Sequence, residues 1–141
     1  RDPNRIIKRL KLNGGLLTSS DHTNAVVRLA EALELRSSEL EELYLNYCFD
    51  TNNEGIRAIS NLVKTSSSLC KLVFLRDWFC DMDAAGAFMI GESLQRNACM
   101  KTLLLDHNLI GDDGAIALAD GLKTNQHLET LHLDGNKIGC Q

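Results

Sequence analysis

Residues 100–115 decide the fold, and they read MKTLLLDHNLIGDDGA. The first six of them place apolar residues at positions one, four and six, and the end of that pattern alternates as in a β-strand, whose side chains point to opposite faces in turn. The same six-residue pattern occurs four more times, with starts 28 to 33 residues apart, at 7–12, 40–45, 69–74 and 128–133. Such self-similarity predicts a repeat protein with a short strand in each repeat.

A helical pattern follows each of the first four strands. Residues 114–122 place apolar side chains at steps of three and four, which is the period of an α-helix. The matching segments are 25–33, 55–63 and 84–94, and the residues expected to cap the helix starts are Asp21, Asn53, Asp83 and Asp113. A strand, a helix and a parallel strand beside the first form a repeat whose neighbours must stack to complete the core. The sequence thus predicts a right-handed α/β solenoid.

Residues 105–115 and 133–139 resemble the ribonuclease-inhibitor type of leucine-rich repeat, which continues past the strand with Asn or Cys and a small turn. Asn108, Asn136 and Cys48 stand at that position. The resemblance implies a segment of a leucine-rich repeat horseshoe, with a parallel sheet on the concave face and helices on the convex face. Residues 1–141 are then expected to form a single domain of about 4.5 repeats. The fold alone does not imply a function.

The outward-pointing residues of the predicted strands should form one continuous concave surface. At its centre the sequence has apolar or aromatic residues where the pattern predicts exposure, with charged residues around them, as in a protein-binding patch. The residues predicted to bind a partner are Tyr44, Asn46, Tyr47, Lys71, Val73, Leu75, Arg76, Trp78, Leu104, Asp106, His107, His132 and Asp134. The lining also includes Arg9, Lys11, Asn13, Glu42, Thr102 and Thr130. The alternative is that Val73 and Leu104 are only good β-formers and that Trp78 packs against its own loop.

The sequence contains no recognisable catalytic motif. Residues 111–114, GDDG, superficially resemble a phosphate loop, but they lack the lysine and belong to the repeat turn. The side chains that could meet on adjacent strands as transition-metal ligands are Asp106, His107, His132 and Asp134. No fixed ligand spacing supports this, so a polar stretch of the concave face is the favoured interpretation. We therefore predict no enzyme activity, no bound metal and no cofactor.

Composition excludes several classes of protein. The 141 residues are 44% apolar and carry a net charge of −4, which fits one globular domain with a real core. No apolar run reaches the about 18 residues of a membrane-spanning helix. The first twelve residues include five basic ones but no aromatic residue, which argues against nucleic-acid binding. The five cysteines form no Cys-x-x-Cys pair and are odd in number, which predicts free thiols in the cytoplasm.

These patterns predict a non-enzymatic module that binds a protein partner on its concave face, and neither a nucleic acid nor a membrane. Two alternatives follow from the resemblance: a GTPase-activating protein of the Ran-activator type, and a recognition segment of a larger sensor or actin-regulating protein. The chain begins just before its first predicted strand and ends without a helix after the fifth, so we expect a segment of a longer array. Its uncapped ends predict self-association unless flanking repeats cover them.

Overall fold

A computed structural model describes residues 6–13, 20–35, 39–46, 53–75 and 82–139. Within these ranges five strands alternate with four helices: β1 (Arg9–Asn13), α1 (Ser20–Leu35), β2 (Glu42–Asn46), α2 (Glu54–Thr65), β3 (Lys71–Leu75), α3 (Ala84–Leu94), β4 (Thr102–Leu104), α4 (Gly111–Leu122) and β5 (Thr130–His132). All neighbouring strands pair in parallel, and their order in the sheet is their order in the chain. The predicted α/β repeat solenoid is confirmed. None of the helices in the described part of the chain has the length and apolarity needed to cross a membrane.

Each strand begins two residues after the first apolar residue of its repeat, so the predicted strand starts were too early. Leu40, Leu69 and Met100 are buried at that first position but precede the strands. Pairing starts one residue further on, where the carbonyl of Glu41 accepts hydrogen bonds at 2.9 and 3.0 Å from the amides of the two residues that follow Leu69. The apolar spacing predicts which side chains are buried, but it does not predict where strand pairing begins. In these three repeats the first apolar side chain enters the core just before the strand starts.

The helices and the strands share one hydrophobic core. Leu43, Leu72 and Leu103 of β2, β3 and β4 are fully buried, and they belong to the same apolar cluster as Ile59 of α2 and Ile90 of α3. Helices α1 and α4 contribute to this cluster as well. Burying one such side chain contributes roughly 1.5–3 kcal/mol. Because every helix described joins the core formed by the inward strand residues, the helices lie on one side of the sheet and leave the other side open.

One of the four predicted helix caps, Asp83, has the expected geometry, since it accepts a hydrogen bond from the amide of Gly86 at 2.9 Å at the start of α3. Asn53 precedes α2, but its backbone is left-handed (φ 59°) and its amide donates instead to the Asp83 carboxylate at 3.2 Å. Asp113 lies inside α4 and Asp21 inside α1, so the predicted starts of these two helices were wrong. An acidic residue in the first turn, such as Asp113, still interacts favourably with the positive end of the helix dipole.

Asparagine side chains connect successive turns where the strands end. The buried Asn108 donates to the carbonyl of Leu105 at 2.9 Å, and its oxygen accepts from the amide of Met82 in the preceding repeat at 3.1 Å. One repeat later, Asn136 donates to the same Leu105 carbonyl at 2.7 Å and accepts from the amide of Asn108 at 3.2 Å. Each side chain thereby satisfies backbone groups that the buried turns would otherwise leave unpaired. Cys48, the third residue predicted at this position, lies outside the described residues.

A second set of polar residues, not recognised from the sequence, connects the repeats where the helices end. Ser66, Asn97 and Asn125 each lie three residues before a first apolar position and accept a hydrogen bond from the backbone amide there. Asn97 also donates to the carbonyl of Val63 in α2 at 2.6 Å, and Asn125 to that of Leu94 in α3 at 2.7 Å. The pattern that could have revealed them is a serine or asparagine at a constant distance before each strand.

Candidate protein-binding face

The open sheet face, which we define by the outward-pointing residues of the five strands, brings the predicted residues into register. One row across the sheet consists of Arg9, Glu42, Lys71, Thr102 and Thr130. The next row consists of Lys11, Tyr44, Val73, Leu104 and His132. Neighbouring strands lie about 4.8 Å apart, so the side chains of one row are neighbours. Residues from different repeats therefore share one surface.

The apolar centre of this face is smaller than predicted. Leu75 is 42% exposed, and Tyr44 and Leu104 are half-buried, so these three side chains are accessible. Val73 is only 2% exposed, and the prediction that it faces solvent was wrong. Its Cα is in register with Tyr44 on one side and Leu104 on the other, and both neighbours have longer side chains than valine. The accessible apolar patch consists of Tyr44, Leu75 and Leu104.

Charged neighbours hold the Tyr44 ring in place. Arg9 donates to both carboxylate oxygens of Glu42 at 2.7 Å, and the Tyr44 hydroxyl donates to Glu42 Oε2 at 2.8 Å. The Nζ atom of Lys11 lies 4.6 Å from the centroid of the ring, and that of Lys71 lies 5.5 Å from it. Both distances are within the range of cation–π attraction. These contacts hold a large aromatic side chain in one position on the open sheet face.

Glu42 is ionised at the centre of this network. Hydrogen bonds from Arg9 and then from Tyr44 lower the pKa of the Glu42 carboxyl to about 2, and the positive charges of Arg9 and Lys71 act in the same direction, against the effect of partial burial. A hydrogen bond to the charged form of an acid favours that form. At neutral pH the carboxylate is therefore charged and holds the tyrosine hydroxyl.

The C-terminal side of the open sheet face gathers acidic residues and histidines. One carboxylate oxygen of the half-buried Asp106 accepts from the amide of Asp134 at 2.9 Å, and the other lies 3.6 Å from Nδ1 of His132. His107 lies in the turn after β4 with a left-handed backbone (φ 58°), and its ring is so close to Gly135 that a Cβ there would collide with it. Within the described ranges, no group of three or more His, Cys, Asp or Glu side chains could hold a metal ion.

Four predicted residues remain to be placed. The half-buried Asn46 donates to Asn13 across β1 and β2 at 2.9 Å, at the end of the strands. Tyr47, Arg76 and Trp78 lie outside the described residues, so their part in the site stays a prediction. The network of Arg9, Glu42 and Tyr44 was not foreseen, because its bonds join two strands that are 33 positions apart in the chain.

Comparison with known proteins agrees with the repeat architecture. A family model described as "Leucine Rich repeat" matches residues 96–119 and 124–139. Among solved structures 46 chains match, and one of them is described as "Leiomodin-1 Actin-Binding Site 2 (ABS2)". Its TM-score is 0.65 at 17% sequence identity, and the match covers 89% of this chain and 69% of that chain. No curated protein sequence matches. The ribonuclease-inhibitor type stays a prediction, whereas these findings support a leucine-rich repeat protein.

Proposed function

We propose that this chain is a non-enzymatic interaction module that binds a protein partner on the open sheet face, the predicted concave face. One observation carries the proposal: Leu75 is exposed on the strand next to a tyrosine, Tyr44, whose ring is already fixed. A few residues supply most of the energy of protein interfaces, and tyrosine is frequent among them. A side chain that is fixed in advance loses little entropy on binding.

The charges around the apolar patch predict how a partner is oriented. Lys11 of β1 and Lys71 at the start of β3 lie beside the Tyr44 ring. Asp106 and Asp134 lie after the ends of β4 and β5. Complementary charges steer association and fix its orientation more than they add affinity. We therefore expect a partner with an apolar centre, an acidic group that faces the two lysines and a basic group that faces Asp134.

Actin is the first partner to test. The solved structure with a TM-score of 0.65 is described as an actin-binding site, and an actin-regulating protein is one of the alternatives named above. Binding of actin is therefore our second and more specific candidate. Nothing among the described residues favours the GTPase-activating alternative.

We place this function in the cytoplasm, on the basis of two free cysteines. Cys70 and Cys99 are half-buried, and their thiols donate to backbone carbonyls, Cys70 to that of Glu41 at 3.3 Å and Cys99 to that of Ser66 at 3.2 Å. Free thiols that pack as small side chains are typical of a reducing compartment.

Two double variants distinguish partner binding on the open sheet face from partner binding on the helical side. Tyr44→Ala with Leu75→Ala truncates the apolar patch. The matched control, Phe88→Ala with Ile116→Ala, truncates two side chains of α3 and α4 that are 52% and 61% exposed. Purified actin and the proteins of a cell extract are each offered to the wild type and to both variants. Retained proteins are quantified by mass spectrometry, and thermal unfolding verifies that both variants fold.

The proposal predicts that a protein retained by the wild type is retained equally by the helical-side variant. The sheet-face variant should bind it about 100-fold more weakly, because truncation of each anchor costs about tenfold in affinity. Unchanged retention by the folded sheet-face variant would contradict the proposal. Loss in the helical-side variant alone would place the binding site on α3 and α4.

A further inference from the structure

A polar groove, here the α2–α3 groove, runs between α2 and α3 on the helical side of the molecule. Its lining includes Arg57, Ser60 and Lys64 on one wall and Glu92, Ser93 and Arg96 on the other. Arg57, Ser60 and Lys64 follow the three- and four-residue steps that bring side chains to one face of a helix, and Arg96 comes four residues after Glu92 and three after Ser93. The groove has a volume of about 220 Å³. Pockets for whole small molecules have about 300–1,000 Å³, so this groove suits a single chemical group.

The groove exists because two serines stand where the next helical contact has glycines. One repeat further along the chain, Ser60 corresponds to Gly91 and Ser93 to Gly121. Those glycines bring α3 and α4 together so closely that a Cβ on Gly121 would collide with the backbone of Gly91. Helices α2 and α3 pack less closely than α3 and α4. The serine side chains therefore leave space between their helices.

Ser60 lines this groove, and its hydroxyl is buried in the wall without a hydrogen-bond partner among the described residues. Ser60 is 6% exposed and its Oγ atom is buried, yet no group in the described part of the chain bonds to it. Across the groove, the Ser93 hydroxyl is satisfied because it donates to the carbonyl of Ile90 at 2.7 Å. An unpaired buried hydroxyl is costly and therefore requires an explanation. A bound group that accepts a hydrogen bond from Ser60 supplies one.

Three cations line the same groove without counter-ions. Arg57, Lys64 and Arg96 are exposed, and none of them forms an ion pair with any residue that the structure describes. Glu92 also lines the groove but pairs with none of the three. The groove is therefore positive on a chain whose net charge is −4. Charge concentrated in a concave site attracts an anion.

We propose that the α2–α3 groove binds a phosphate group. Arg57 approaches from α2 and Arg96 from the end of α3, and the guanidinium fork of arginine matches two phosphate oxygens. Lys64 adds a third positive charge, and the Ser60 hydroxyl, which no partner holds in its buried orientation, rotates toward the groove and donates to a phosphate oxygen. A phosphate dianion can engage all three cations, whereas a carboxylate has a single charge. The phosphate group belongs either to free inorganic phosphate or to a phosphorylated side chain, and both present the same oxygens.

Titration of the ¹⁵N-labelled 141-residue chain tests the proposal. Sodium phosphate is added at constant ionic strength while amide chemical shifts are recorded. Parallel titrations use a neutral peptide with one phosphoserine and its unphosphorylated form. Ser60→Ala and Arg57→Gln each remove one element of the groove. The matched control, Arg28→Gln, removes an exposed arginine of α1 that does not line the groove.

We expect saturable shifts in α2 and in the turn after α3. The affinity for phosphate should be about tenfold lower in Ser60→Ala and in Arg57→Gln, and within about twofold of the wild type in Arg28→Gln. Tighter binding of the phosphoserine peptide would identify a phosphorylated protein as the source, and equal binding would identify the free anion. Shifts that rise without saturation, an equal loss in Arg28→Gln, or equal binding of the unphosphorylated peptide would overturn the proposal.

Discussion

The α3–α4 contact and the α2–α3 contact use equivalent positions of the repeat, yet they differ in their chemistry. At α3–α4, Gly91 and Gly121 let two backbones touch. At α2–α3, Ser60 and Ser93 stand at these positions, the helices pack less closely, and a polar groove lies between them. In this solenoid, one residue on each helix thus decides whether a helical contact is purely structural or offers a candidate binding site.

The largest effect is expected from Asn97→Ala, at the end of the α2–α3 contact. The Asn97 amide donates to the Val63 carbonyl at 2.6 Å, and its oxygen accepts from the amides of Cys99 and Met100 at 2.9 and 2.6 Å. The variant leaves three backbone groups unpaired, at about 1 kcal/mol each. We expect urea titration to show a loss of about 3 kcal/mol in the free energy of unfolding.

Asn125→Ala is the matched variant at the α3–α4 contact. It should cost less than Asn97→Ala, because Asn125 is half-buried whereas Asn97 is buried, and water can replace part of its hydrogen bonding. A larger loss in Asn125→Ala than in Asn97→Ala would contradict this account of the polar residues between repeats.

Gly121→Ala should separate the closely packed helices. The added Cβ would collide with the backbone of Gly91, which cannot move aside as a flexible side chain can. Overpacking costs about 3 kcal/mol at such a site, and the better helix propensity of alanine recovers about 1 kcal/mol. The free energy of unfolding should therefore fall by about 2 kcal/mol in urea titration. An unchanged or higher stability would show that the glycine contact is not needed.

Ser60→Ala should raise stability slightly in phosphate-free buffer. It removes a buried hydroxyl that has no partner and adds no atom, so the free energy of unfolding should rise by about 1 kcal/mol. Gly91→Ser, the exchange at the equivalent position of α3, should destabilise instead, because a Cβ there would lie 2.6 Å from the carbonyl oxygen of Ala117. Similar effects of the two variants would remove the distinction between the two contacts.

The dependence of stability on acid pH extends the comparison to the open sheet face, where the hydrogen-bond network around Glu42 is ionic. The pKa of Glu42 is lowered to about 2 by Arg9 and Tyr44. Its contribution to stability is therefore complete above the ordinary value of 4.5 and is lost as the pH falls from there towards 2. The effect should be the smallest of the series, since surface ion pairs contribute little.

Urea midpoints measured between pH 6 and pH 2 test this network. Glu42→Gln should flatten the pH dependence below the ordinary pKa of the carboxyl, and Tyr44→Phe, which removes one of the hydrogen bonds, should flatten it in part. A pH dependence in Glu42→Gln that equals the wild type would show that the network does not stabilise the fold.

The sequence predicted what lies within one repeat. Leu43 and Leu45 alternate with Tyr44, and this spacing alone was enough to predict a strand with a buried and an open face. Asn108 and Asn136 could be recognised because they follow their strands at a constant distance. The fold was therefore largely predictable from the repeated unit.

What depends on two repeats at once was not predictable in the same way. Val73 is buried although the strand alternation predicted that it is exposed, and its neighbours in register are Tyr44 and Leu104 of the adjacent strands. The α2–α3 groove is found where α2 has Ser60 at the position that is Gly91 in α3. This difference has an effect only when the next helix packs against that position. Such features follow from the distance between repeats, and a single repeat does not encode that distance.

The most direct test of the open sheet face is the dissociation constant of the protein that the wild-type chain retains. It is measured for the wild type and for the two double variants, all shown to be folded. We predict a rise of about 100-fold for Tyr44→Ala with Leu75→Ala and a change of less than about twofold for Phe88→Ala with Ile116→Ala. An unchanged dissociation constant for the folded sheet-face variant would contradict the assignment of partner binding to this face.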